Sequence, residues 1–102
     1  MLRVTEQCNK YGVLINDSIA HQDLEQPVKS AIIEYMKQRK YVVSASLARV
    51  IDFAGNNQQV DQYCRTTYSD GLYLWTANDI YYFEKYGMRL NEDFINHVLE
   101  RH

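Results

Sequence analysis

The side chains in this chain best suited to nucleophilic or metal chemistry are three histidines, His21, His97 and His102, and two cysteines, Cys8 and Cys64. A thiol activated by an imidazole is one chemistry these types allow, with Cys64 and either His21 or His97 as the pair. No spacing in the sequence brings them together. Cys64 falls on the same face of a two-residue alternation as Val60, where a cysteine serves as a small buried hydrophobe. A metal site would need the histidines or cysteines to converge with a carboxylate, and no two of them stand at a recognised ligand spacing. His97 sits just before Val98 at the flank of an apolar stripe, which reads as a hydrogen-bonded structural histidine. Gly-rich phosphate loops, the Gly-x-Ser-x-Gly elbow, His-Glu-x-x-His and Cys-x-x-Cys are all absent from the sequence. The expectation is a protein that is not an enzyme and holds no metal or cofactor.

The elements that would carry these groups can be read from periodicity. Residues 1–22 are weakly patterned, with Gly12-Val13-Leu14-Ile15 as the one compact apolar run, and predict a short strand or an irregular arm. Leu24, Val28, Ala31, Ile32, Tyr35 and Met36 recur at spacings of three and four, the mark of one apolar helical stripe. Pro27 suits its first turn, and Lys37, Arg39 and Lys40 suit its negative end. Tyr41 to Ala45 predicts a strand, while Leu47 to Phe53 fits helix or strand equally before a turn at Gly55-Asn56-Asn57. Val60 to Tyr68 alternates with period two, and Leu72 to Thr76 alternates again. The intervening Ser69-Asp70-Gly71 predicts a hairpin, because glycine supplies the positive φ of the turn. Thr76 and Asp79 form a capping box for a helix carrying Ile80 and Phe83 and ending at Gly87. Asn91 is placed to cap a last helix, with Leu90 and Ile95 as a hydrophobic staple. The fold class is α+β: a small antiparallel sheet, one longer helix and two short C-terminal helices.

At 102 residues the chain is one domain, 1–102. No apolar run approaches the length of a membrane span, and Met1 to Glu6 has no signal core, which predicts a cytoplasmic protein with no membrane partner. Residues 61–102 hold four Lys/Arg against seven Asp/Glu, so the C-terminal part is acidic and direct nucleic-acid binding is not expected. Nine tyrosines, one tryptophan and three phenylalanines give most aromatic surface a polar tip. On the hairpin, Tyr63, Tyr73 and Trp75 beside Arg65 fit a layer between sheet and helices better than stacking platforms for bases.

The run Ser69-Asp70-Gly71-Leu72-Tyr73-Leu74-Trp75, then Tyr81-Tyr82-Phe83-Glu84-Lys85-Tyr86, then Leu90-Asn91-Glu92-Asp93-Phe94-Ile95-Asn96-His97 resembles the C-terminal signature of small bacterial immunity proteins. These belong to contact-dependent growth inhibition and other polymorphic toxin systems. The likeness covers roughly residues 66–98, and departs from the pattern where a proline usually precedes the last helix and this chain has Asn91. It implies an immunity protein, or antitoxin, that covers the active site of a cognate toxin domain, a basic nuclease. An acidic, tyrosine-rich inhibitor suits such a partner. The expected contact residues are Asp61, Tyr63, Asp70, Tyr73 and Trp75 around the hairpin, with Glu84 on the neighbouring helix. The alternative is a phage or mobile-element protein that inhibits a host defence enzyme.

Overall fold

The structure is a computed structural model that describes residues 2–9, 14–15, 20–38, 41–44, 49–52, 59–64 and 66–100. The expected turn at Gly55–Asn57, the cations Arg39 and Lys40, Gly12 and Val13 of the Gly12–Ile15 run, and His102 lie outside the described residues. The elements in chain order are β1 (Leu2–Arg3), α1 (Gln26–Lys37), β2 (Tyr41–Ser44), β3 (Arg49–Ile51), β4 (Gln59–Cys64), β5 (Thr67–Ser69), β6 (Tyr73–Thr76), α2 (Ala77–Tyr86) and α3 (Glu92–Glu100). The class is α+β.

α1 begins with Pro27 in its first turn, as expected, and buries Ile32 and Met36 completely. Removing two such side chains from water stabilises the helix against the sheet by about 2 kcal/mol each. The hairpin forms between β5 and β6, with Tyr68 opposite Trp75 and Ser69 opposite Leu74. Gly71 takes φ +99° at its tip, and a methyl group there would meet nothing within 4 Å, so backbone conformation and not space requires the glycine. The capping box is present: Asp79 N donates to Thr76 Oγ1 at 3.2 Å and Thr76 N donates to Asp79 Oδ2 at 2.9 Å. Gly87 closes α2 in the left-handed region at φ 66°, donating to the Phe83 carbonyl.

Three expectations are corrected. The sheet is mixed, in the order β1-β6-β5-β2, because β1 lies parallel to β6 with Leu2 opposite Tyr73. The Val60–Tyr68 run is divided between two sheets: β4 pairs with β3 in a separate two-stranded sheet, and β5 pairs with β2 and β6. Between β4 and β5 the Thr66 carbonyl accepts from Ala77 N at 2.9 Å, tying the crossing point to the start of α2. Asn91 stands just before α3, but its side chain donates to the Arg3 carbonyl at 3.1 Å in place of capping the helix. Its own carbonyl accepts from Phe94 N and Ile95 N.

One core joins these pieces. Trp75, Tyr82, Phe83, Phe94, Met88 and Leu90 are almost wholly buried, and Val4 and Cys8 from the N-terminal segment are buried with them. Residues 2–9 are therefore built into the domain. Thr5 Oγ1 donates to the Arg89 carbonyl and Asn91 N to the Val4 carbonyl at 2.7 Å, lacing this segment to the stretch before α3.

Candidate functional site

The hairpin tip, α1 and α3 converge on one carboxylate. Asp70 leads the turn, and its Oδ1 accepts from Leu72 N at 2.9 Å and Tyr73 N at 2.7 Å, the arrangement expected of an aspartate folding back on its own turn. Its Oδ2 accepts from the Tyr35 hydroxyl of α1 at 2.5 Å and from His97 Nε2 of α3 at 2.7 Å. Against a carboxylate oxygen Nε2 must carry the ring proton. Tyr73, Phe94 and Tyr35 surround the imidazole, with ring centroids at 4.8, 6.4 and 6.2 Å. The side chains of His97 and Asp70 are only 11% and 4% exposed. Burial alone would push the Asp70 carboxyl up, but the bonds from Tyr35, Tyr73 N, Leu72 N and His97 outweigh it and hold the group at about 2. Burial, then the nearby Asp93 and Asp70 carboxylates, push the Tyr73 phenol up. The cluster is thus a neutral tyrosine and a histidine bound to a fixed anion, which clamps the hairpin tip to both helices.

A second cluster fastens β3 to α2. Asp52 Oδ2 accepts from the Tyr81 and Tyr86 hydroxyls, both at 2.6 Å, and from Lys85 Nζ at 3.4 Å. The Lys85 ammonium also lies 5.5 and 5.3 Å from the two ring centroids. The Tyr81 phenol is raised by burial and by its bond to Asp52, and the Tyr86 phenol by its bond to Asp52 and by burial, so both stay protonated. A third group is more deeply buried. Asp79 is raised by burial, only partly offset by Thr76 and Cys8, and its Oδ1 has no hydrogen-bond partner of good geometry. The adjacent Cys8 thiol is pushed well above its ordinary value by burial and then by Asp79, and lies 3.9 Å from the Met88 sulfur. A thiol so placed is a poor nucleophile.

The structure thus brings together Asp70 and His97 but leaves His21 at the other end of α2, where Nδ1 meets the Tyr86 carbonyl. Among the described residues no three His, Cys, Asp or Glu converge as a metal site. Of the expected contact residues, Trp75 and Tyr73 are core, 2% and 5% exposed, and the Trp75 Nε1 donates to the Met36 carbonyl at 3.0 Å. Their rings fill the space between sheet and helices, and the Asp70 carboxylate is taken up by the clamp. Glu84 is at the surface, where it pairs with Lys37 at 2.9 Å. The backbones of Asp61, Tyr63 and Cys64 lie in β4, and their side chains are outside what is described.

Among the described residues, more carboxylates than cations are left without an ion pair. Each cation whose side chain is described is engaged within the molecule: Arg3 donates to the Cys8 carbonyl, Lys29 lies over the Phe83 ring at 5.8 Å, Lys37 and Lys85 are ion-paired, and Arg89 reaches the His21 carbonyl at 3.5 Å. By contrast Glu6, Asp23, Glu25, Glu34, Glu92, Asp93 and Glu100 are exposed with no ion-pair partner among the described residues. Sequence spacing did not single these out, since a lone surface carboxylate carries no pattern. No helix among the described residues is long and apolar enough to cross a membrane. No protein-family model, curated protein or solved structure matches the chain.

Proposed function

We propose that this chain is a cytoplasmic immunity protein that binds a cognate basic toxin domain, a nuclease, and neutralises it by covering its active site. The observation that carries this reading is the outward charge of the described residues: seven exposed carboxylates are left without an ion pair, against three cations, Arg3, Lys29 and Arg89, each of which bonds a carbonyl or lies over a ring. A nuclease must present a basic cleft to its substrate, and unpaired carboxylates on a rigid domain complement that cleft and speed encounter. The hydrogen-bonded clamps at Asp70 and Asp52 support the same reading, because they fix the surface before binding and reduce the ordering cost of association.

The test is direct. The chain and the product of the reading frame immediately upstream of its gene are purified separately, mixed, and followed by size-exclusion chromatography and by nuclease assay. A stoichiometric complex with loss of nuclease activity, and association that slows as salt rises, is the expected result. Two proteins that elute apart, with nuclease activity intact, would end the proposal.

A further inference from the structure

Two open grooves among the described residues differ in chemistry. One runs along α1 and α2 beside Lys29, Lys37, Glu34 and Glu84, and its charges balance, with Lys37 and Glu84 already joined. The other lies between β1, the Thr5–Cys8 segment and the N-terminus of α3, encloses about 750 Å³, and has room for several side chains of a partner. Its rim is aliphatic and exposed: Leu2 is 51% exposed and Ile15 61%. Leu72, 47% exposed, is held beside Leu2 by the bond from Leu2 N to the Leu72 carbonyl. Glu6, Glu92 and Asp93 line the same groove without ion pairs. Arg3, the one cation among its lining residues, turns its guanidinium onto the Cys8 carbonyl. The α3 dipole accounts for acidic residues at Glu92 and Asp93, but not for Glu6, which comes from another segment.

We propose that this groove is where the partner docks, and that the occupant is a protein segment presenting lysine or arginine side chains around at least one aliphatic one. Apolar contact at Leu2, Ile15 and Leu72 would hold the segment while Glu6, Glu92 and Asp93 select its charge. Asp70 and His97 act as positioning residues, since the turn they clamp carries Leu72 and abuts β1. The inference deepens the proposed function and rests on it.

The experiment uses the intact chain and the purified upstream product. Glu92→Lys combined with Asp93→Lys should weaken the complex on the order of 100-fold, and Ile15→Ser about 10-fold, while Glu34→Lys in the balanced groove changes affinity little. All four positions are exposed, so circular dichroism should match that of the unaltered chain, and only the double reversal in the first turn of α3, which opposes the helix dipole, should lower the thermal midpoint slightly. If the unaltered chain binds and the groove variants bind equally well, this docking site is overturned while the immunity reading stands. If the unaltered chain does not bind the upstream product, the immunity reading falls. The groove is then judged by NMR titration with a synthetic peptide of alternating lysine and leucine. Methyl shifts concentrated at Leu2, Ile15 and Leu72 support the groove, and shifts absent there or spread evenly overturn it.

Discussion

Asp70 and Asp79 stand nine residues apart at the two ends of β6, both out of water, and their carboxyls move in opposite directions. Asp70 receives four donors, two on each oxygen, and is held low in spite of its burial. Asp79 receives the Thr76 amide on one oxygen, its other oxygen lacks a hydrogen bond of good geometry, and burial prevails. Burial alone therefore does not decide the state of a buried acid here; the number of donors aimed at it does. The first aspartate joins three elements, whereas the second serves one helix end.

The contrast can be broken at several points. Asp70→Asn replaces an acceptor with an NH₂ that faces Tyr35 and His97, and should cost about 3 kcal/mol in urea unfolding. A loss no greater than that of Asp79→Asn would remove the distinction. Acid should show it next. The folded-state Asp70 value of about 2 lies below its ordinary 3.8, so its contribution is complete above that ordinary value and is lost as pH falls from about 4 to 2. About 2 kcal/mol of stability should disappear across that window, and most of the dependence should vanish in Asp70→Asn. Asp79, being raised, acts with the opposite sign: its favourable protonated form is fully present below 3.8 and is lost as pH rises through its folded value. Tyr35→Phe removes one of the four donors and should cost about 1 kcal/mol by thermal denaturation, with Asp70 titrating higher in carbon-detected NMR. Asp79→Asn keeps an acceptor for Thr76 N and makes neutral a group that burial already opposes charging, so its effect should stay under about 0.5 kcal/mol.

What the sequence disclosed follows the range of the interactions. The Asp70–Gly71 turn, the Thr76–Asp79 cap, the Gly87 stop and the stripe of α1 are set by residues within four positions of one another, and all are present. The pairing of β1 with β6 joins residues 2–3 to 73–74 and rests on a two-residue strand, too short to show alternation. The division after Cys64 is equally silent, because a strand that changes partners keeps the same side-chain period. His97 was legible as a hydrogen-bonded residue, but its acceptor was not, since Asp70 carries a local turn signal that explains it without a distant partner. Trp75 and Tyr73 were legible as a layer between sheet and helices, and their assignment to a partner came from the resemblance and not from their spacing.

The lacing of residues 3–5 to Arg89 and Asn91 also bears on how the domain comes into being. Contacts that span most of a chain close late, because the intervening loop must lose its entropy before they return anything. On the ribosome the hairpin and α2 can form while residues 3–5 still wait for Arg89 and Asn91, and the acidic groove stays unassembled until α3 has emerged. A partner that reads that groove would ignore the nascent chain and recognise only the finished one.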